Sequence, residues 1–241
     1  PFDTDDLRLL TTFASQAATL WCRRRRVPYL LIVESHDADP RPGWRRAVKG
    51  GVVPRVVQGA AAVLATGTLA AESMAAWGAP PERIHVFANT IDVAAWGELA
   101  DRLAARRPEL RAALGLSESD VAVLSVARLA PEKRLDTLIR AAAAADDDRL
   151  VVVLAGSGPE RSRLAELAGE LGVRLVLAGD VAWDRIAETY VAADVFALLS
   201  DWEPWGVVVN EAAACGLPLV LADRVGAAAD LLVDGENGAL V

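Results

Sequence analysis

The chain's 241 residues are 53% apolar and 24% charged, which excludes a disordered polypeptide and leaves room for one large domain or two ordinary ones. No apolar run reaches the length of a membrane span, the N-terminus has no signal-peptide pattern, and two histidines with two distant cysteines argue against a transition-metal site. The net charge of −8 is uneven, with 11 basic against 9 acidic residues in 1–97 and 14 against 24 in 98–241, a balance unlike that of a protein that coats nucleic acid.

Residues 5–26, "DDLRLLTTFASQAATLWCRRRR", read as a helix with acids in its first turn and four arginines at its end, the polarity that the helix dipole favours. The arginine run beside Trp21 could touch anionic lipid, although a solvated helix end is the plainer reading. "VPYLLIVES" (27–35) is short and apolar throughout, as a buried strand would be. A helical stretch over 43–60, broken by Gly50-Gly51 and Pro54, leads to a strand at 61–67, a helix ended by Gly78, and a strand at 83–89. The alternation pauses at 91–97, which places a domain boundary there, with 1–97 as the first domain and 98–241 as the second.

A polar, arginine-rich helix is expected over Glu98–Leu114. The strands "VAVLSVARL", "LVVVLAGSG", "VRLVLAGDV", "VFALLS" and "LPLVLAD" then alternate with helices, one of them opened by Pro159, and "GALV" is a last short strand. Strict alternation with continuously apolar strands predicts parallel sheets covered on both faces. The fold class is therefore α/β with two Rossmann-like domains, the first incomplete and the second nearly complete. Cys22 and Cys215 read as reduced core residues of a cytosolic protein. Trp44, Trp77, Trp96, Trp183 and Trp202 are scattered and read as core or rim packing rather than a stacking platform for bases.

In doubly wound sheets, ligands lie outside the carboxyl ends of the strands, where loops enter helix N-termini. "ARLAPEKR" presents Arg128, a planar fork for phosphate oxygens, and Lys133, a mobile point charge. The pair suits a diphosphate, and on spacing alone suits an ordinary pair of exposed cations better. "AGSGPE" lacks the third glycine of the dinucleotide fingerprint and fits a tight strand-to-helix turn. "AGDVAW" (178–183) could hold a base edge through backbone groups.

In "DWEPWGVVVNEAAACGLP" (201–218) a helix should start near Gly206 and Val207. Gly206 would let a ligand oxygen approach the backbone, where the first amides of a helix are unpaired. Glu211 lies about 6–7.5 Å further along the axis, roughly the spacing from a phosphate to a ribose diol. Glu203 precedes the helix, so the valines would bury the helix while the two acids bracket a nucleotide-linked sugar.

"SVARLAPEKRLDTLIRA", "LLSDWEPWGVVVNEAAACGLPLVLAD" and "VGAAADLLVDGENGALV" together resemble the retaining glycosyltransferases of family 4, which have the GT-B fold. Their hallmark is two glutamates with seven residues between them, matched by Glu203 and Glu211. The resemblance covers 115–241 in order and extends more thinly through 27–97, where "LLIVESHD" and "RIHVFANTID" are similar to the family's first domain. It implies that Arg128 and Lys133 neutralise the diphosphate of a UDP- or GDP-sugar donor, helped by the amides of Gly206 and Val207. It further implies that Glu211 binds the ribose, Glu203 the transferred sugar, and Val181 with its neighbours the base. His36 matches the family's histidine near the donor sugar, whereas alone it would read as a structural hydrogen-bonder. The implied reaction is front-side displacement with retention, needing neither a metal nor a carboxylate nucleophile, onto a sugar, lipid or small-molecule acceptor. Some family members also contact membranes peripherally.

The chain departs from the family pattern in places. Asn89-Thr90 replaces the usual Asn-Gly, Trp205 replaces the commoner Phe, and Asn210 stands where an apolar residue is usual. The glycine-rich loop near the N-terminus and the C-terminal crossing helices have no counterpart in the sequence, so a piece of a longer protein is expected. Rival readings are a GT-B-fold nucleotide-sugar epimerase or a phosphorylase, and a non-catalytic nucleotide-sugar-binding fragment.

Overall fold

The computed structural model describes residues 17–36, 50, 53–87 and 89–241. The chain forms two compact units that part at Asn89, and each is described by itself.

In the first unit, β1 (Leu30–Val33), β2 (Ala62–Thr66) and β3 (Ile84–Phe87) form a parallel sheet in the order β1-β2-β3. Helix α1 (Gly67–Ala76) links β2 to β3, and its buried Met74 packs with Val57, Ala60, Val63 and Ala79. Gly78, at a φ of +89°, follows the helix end as expected. Residues 17–25 and 53–58 are helical, while the expected helical residues 5–16 and 43–49, and Trp44, lie outside the described residues. The expectation that β1 is buried on both faces is overturned. Leu31 and Val33 join the core, but Leu30 and Ile32 are 63% and 68% exposed, because successive side chains of a strand point to opposite faces and, among the described residues, only one face is covered.

The second unit opens with α2 (Val93–Ala104) and α3 (Arg107–Ala113), two helices where one was expected over 98–114. Asp92 starts the first, its carboxylate accepting the Ala95 amide at 3.0 Å. Pro108 forces the break, since proline is tolerated in the first turn of a helix and not in its interior. There follow β4 (Val121–Val126), α4 (Leu135–Ala144), β5 (Leu150–Ala155), α5 (Arg161–Leu171), β6 (Arg174–Gly179), α6 (Ile186–Ala192), β7 (Val195–Leu198), α7 (Val207–Ala214), β8 (Leu219–Leu221), α8 (Ala228–Leu231) and β9 (Gly238–Leu240). Pro159 does not open α5 as expected. It sits in the turn before, where the Glu160 amide donates to the Leu129 carbonyl at 3.0 Å.

All six strands of this unit run parallel, in the order β6-β5-β4-β7-β8-β9. The continuous apolar run of β5 follows from burial on both faces. Val151, Val153 and Ala155 pack with Leu124, Tyr190, Phe196 and Val209, and Val152 and Leu154 pack with Leu135, Ile139 and Leu164 on the other side. At the amino edge of the sheet, the buried Arg111 guanidinium donates to the carbonyls of Ser117, Asp120 and Ala192 and pairs with Asp194 at 2.9 Å. Asp194 also accepts the Ala122 amide at 2.8 Å. This staple fixes α3 beneath the starts of β4 and β7.

Cys22 and Cys215 are free and half-buried rather than fully in the core, and burial raises the Cys215 thiol to about 11. Trp183 is also a correction, since at 80% exposure it packs against little. Among the described residues, no helix is long and apolar enough to cross a membrane.

Candidate functional site

The strand order reverses direction at one place. From β4 the chain moves outward to β5 and β6, then returns to β7 and moves the other way to β8 and β9. The crevice at the carboxyl ends of β4 and β7 is the topological switch point, where loops diverge and leave room for a ligand.

The loop after β4 carries Arg128 and Lys133 and ends in a 3-10 turn, Pro131–Lys133. Its backbone leans on the "AGSG" loop after β5, with the Leu129 amide donating to the Ser157 carbonyl at 2.8 Å. A Cβ at Gly156 would sit 2.1 Å from the Ala127 carbonyl oxygen, and one at Gly158 would sit 2.3 Å from that of Leu129. The glycines therefore serve loop-on-loop contact, in keeping with the tight turn read from the sequence rather than a dinucleotide site.

The loop after β7 carries Glu203 into the same crevice. Lys133 Nζ hydrogen-bonds the Glu203 carboxylate, with both side chains only 17% exposed. Alongside, Arg134 pairs with Asp201 at 2.9 Å, and the Asp201 amide donates to the Glu132 carbonyl at 2.9 Å. Arg128 is mostly exposed and paired with Glu132. The Glu203 backbone is held as a short parallel bridge to Val225, with its amide on the Arg224 carbonyl and its carbonyl accepting the Gly226 amide, each at 3.0 Å. So Glu203 is presented by paired backbone, not by a free loop.

Gly206 then turns the chain into α7 at a φ of +91°, where a Cβ would approach Leu198 Cδ2 at 3.1 Å and Glu203 Cγ at 3.2 Å. Glycine is required on both counts. Val207 begins the helix as expected, at the carboxyl edge of the sheet, where the first amides of a helix lack intrahelical acceptors. Glu211, on the same helix, is 9% exposed, and its Oε2 accepts the Tyr190 hydroxyl at 2.7 Å. Burial pushes the Glu211 carboxyl above its ordinary range, against the lowering effect of the Tyr190 bond. The Tyr190 phenol is driven far up by burial and by the adjacent carboxylate, so it stays a neutral donor. Tyr190 packs edge-on to Trp96 and tilted to Phe196, each at 6.0 Å between ring centroids.

Tyr190 escaped the sequence reading. The available signal was a tyrosine in an apolar helix, since a buried hydroxyl needs a partner. A second missed pairing joins two departures from the family pattern. The buried Trp205 indole donates its Nε1–H to Asn210 Oδ1 at 2.9 Å, so the tryptophan brings a donor and the asparagine accepts it. Asn210→Leu is expected to destabilise the protein by about 1–3 kcal/mol by orphaning that donor. Adding Trp205→Phe should restore most of the loss, and a chemical-denaturation double-mutant cycle checks this.

Val181 follows β6, two strands from β4 and so about 9–10 Å across the sheet. It lines a cleft of about 490 Å³ with Arg106, Leu110, Asp180, Arg185 and Thr189. His36 belongs to the first unit, where it is buried three residues beyond β1 at the carboxyl edge of that sheet. Within the second unit, Arg128, Lys133, Glu203, Gly206, Val207 and Glu211 thus lie on two loops and one helix at the switch point. Thr90, in place of the usual glycine, avoids positive φ, and its hydroxyl donates to the Ile91 carbonyl at 3.2 Å. Among the described residues, no cluster of three or more His, Cys, Asp or Glu side chains could hold a metal ion.

The family of glycosyl transferases group 1 matches residues 106–241, and the glycosyl transferase 4-like domain matches residues 6–90. D-inositol 3-phosphate glycosyltransferase of Rhodococcus jostii is 39% identical over 176 residues, covering 68% of this chain and 37% of that protein. The enzyme of the same name from Acidothermus cellulolyticus is 37% identical over 215 residues, covering 84% and 46%. The chain thus spans less than half the length of these relatives. The crystal structure of Anabaena HepE in complex with UDP superposes with a TM-score of 0.77 at 24% identity, covering 94% of this chain and 61% of that one. HepE in complex with UDP-glucose gives 0.71 at 25%, covering 93% and 61%. With its two parallel sheets and its paired acids at the second sheet's switch point, the chain belongs to the group 1 glycosyl transferases, the family 4 enzymes of GT-B fold.

Proposed function

We propose that the protein of which this chain is part transfers a sugar from a nucleoside-diphosphate sugar to an acceptor hydroxyl with retention of anomeric configuration. The observation that carries this reading is the Lys133–Glu203 pair at the switch point, directly ahead of the α7 N-terminus. A diphosphate entering the crevice would meet Arg128, Lys133 and the amides near Gly206 and Val207. These groups stabilise negative charge that grows on the leaving phosphate as the glycosidic bond breaks. Side-chain cations thereby do what a metal does in other transferases. Glu203, released from Lys133, accepts hydroxyls of the transferred sugar, and the departing phosphate takes the acceptor's proton on the same face. His36 is assigned to the donor sugar on the family resemblance.

Glu211 Oε1 has no hydrogen-bond partner among the described residues and is assigned to the ribose diol. The base falls to Val181 and the cleft beside it, two strands away, a distance a nucleotide spans. UDP-glucose is the first donor to test, because HepE binds it. A polyol phosphate is the first acceptor, because the relatives above are named for one.

The test is calorimetry with UDP- and GDP-sugars followed by product detection with acceptors. Glu211→Gln is expected to weaken donor binding about tenfold or more. Wild-type affinity should also fall on acidification through a pKa above the usual ~4.3 of glutamate, since only the ionised carboxylate accepts both hydroxyls, and the glutamine variant should lose that dependence. An unchanged affinity and pH profile in the variant would remove Glu211 from the site. Binding without turnover would favour a non-catalytic module, and release of free nucleotide without an acceptor would favour an epimerase.

A further inference from the structure

A cavity of about 550 Å³ opens at the amino ends of the three strands of the first sheet. Arg23 comes from the helical segment 17–25, Arg26 from the turn before β1, and Arg83 from the turn before β3. Tyr29 and Gly59 complete the wall, and among the described residues no carboxylate lines it. We propose that this pocket binds a phosphate-bearing ligand among Arg23, Arg26 and Arg83.

The three guanidinium groups make no ion pair with any acid among the described residues. Arg23 Nη1 donates to the Arg55 carbonyl at 2.8 Å and Arg83 Nη1 to the Ala60 carbonyl at 3.2 Å. Each is thereby anchored with further N–H groups unspent, and a guanidinium has five in a fork matched to phosphate oxygens. The Arg26 guanidinium makes no hydrogen bond among the described residues, and its backbone holds the left-handed region at a φ of +57°. Like charges around one cavity repel, and a bound anion relieves that repulsion. The wall is preformed. The Tyr29 hydroxyl donates to the Val56 carbonyl at 2.6 Å, and a Cβ at Gly59 would lie 2.6 Å from the Tyr29 hydroxyl oxygen.

Compensation of a helix dipole accounts for Arg23 and Arg26 at a helix end. It does not account for Arg83, which arrives from a different element. The pocket opens at the amino edge of the first sheet, His36 lies at the carboxyl edge, and none of the residues assigned to the donor site is among those that line it. The ligand is either a soluble phosphate compound or a phospholipid headgroup, and Leu20 and Trp21, on the same helical segment as Arg23, are 64% and 57% exposed.

The experiment titrates pyrophosphate calorimetrically into the chain carrying Arg128→Gln and Lys133→Gln, which removes the cations of the donor site. In parallel it measures co-sedimentation with phosphatidylcholine vesicles with and without phosphatidylglycerol. One salt-sensitive site is expected to remain, weakened about tenfold or more by Arg26→Gln and lost in Arg23→Gln/Arg26→Gln/Arg83→Gln. The Arg26 side chain bonds nothing among the described residues, so its variant should melt at the parent temperature and report on binding. A response to pyrophosphate points to a soluble ligand, and a response to phosphatidylglycerol vesicles alone points to a lipid. If neither probe binds, or the arginine variants bind as the parent does, the site is refuted.

Discussion

Replacing Arg128 and Lys133 together by glutamine is expected to lower turnover by about 10²–10³-fold or more and to weaken nucleoside-diphosphate binding at least tenfold, with the fold retained. The loss in turnover follows from removing preorganised positive charge where negative charge develops, and each such group is worth about 2.7–4 kcal/mol in the transition state. The fold should survive because Arg128 is exposed and Lys133 contributes one bond, to Glu203, which keeps its backbone bridge to Val225. In the structure both cations are already committed to acids, Arg128 to Glu132 and Lys133 to Glu203. On the proposed reading, an incoming diphosphate would share or displace those carboxylates, and Glu203 so freed would be ready for the sugar. Steady-state kinetics with UDP-glucose and circular dichroism on the double variant check both halves of the expectation. Retained nucleotide affinity would take the two cations out of the site.

The second large effect is on stability. Arg111→Ala is expected to cost about 3 kcal/mol, the low end of the 3–5 kcal/mol for breaking a buried pair, because the Asp194 side chain stays 31% exposed. The change also strips the carbonyls of Ser117, Asp120 and Ala192 of a donor. In a unit of this size that corresponds to a Tm drop of roughly 6–12 °C, measurable by calorimetry. The pH dependence has a definite sign. Burial raises the Asp194 carboxyl, but the Ala122 amide, Arg111 and Arg107 together outweigh it and hold it below the usual range. A depressed carboxylate contributes stability that is present above its unfolded value of about 3.9 and is lost as pH falls through the folded one. Stability of the wild type should therefore decline in acid below about pH 4 more steeply than that of Asp194→Asn.

Most of the second sheet was legible in the sequence because its strands are apolar on both faces and three of its helices, α3, α5 and α7, are closed by Gly115, Gly172 and Gly216. The switch-point loops could be found for the same reason, since strand order in such sheets dictates where ligands go. What escaped depends on partners distant in the chain. Nothing near Glu203 announces Lys133, 70 residues earlier, and nothing near Glu211 announces Tyr190. The Trp205–Asn210 bond was within reach, as both residues stood out separately and only their pairing was missed. The first unit was less legible. A short apolar strand reads the same whether one face or both are covered, so the exposure of Leu30 and Ile32 had no local signal. Pro108 misled for a different reason, since a proline inside an otherwise helical pattern should have been taken as the start of a new helix.

The central claim is that the second sheet's switch point grips the diphosphate of a nucleotide-linked sugar. A crystal structure of the chain with UDP-glucose tests it most directly. The account predicts phosphate oxygens within about 2.7–3.2 Å of Lys133 Nζ and the α7 N-terminal amides, the ribose diol on Glu211, and the Lys133–Glu203 contact opened or shared. A nucleotide lodged elsewhere, with that contact intact and the crevice empty, would contradict it.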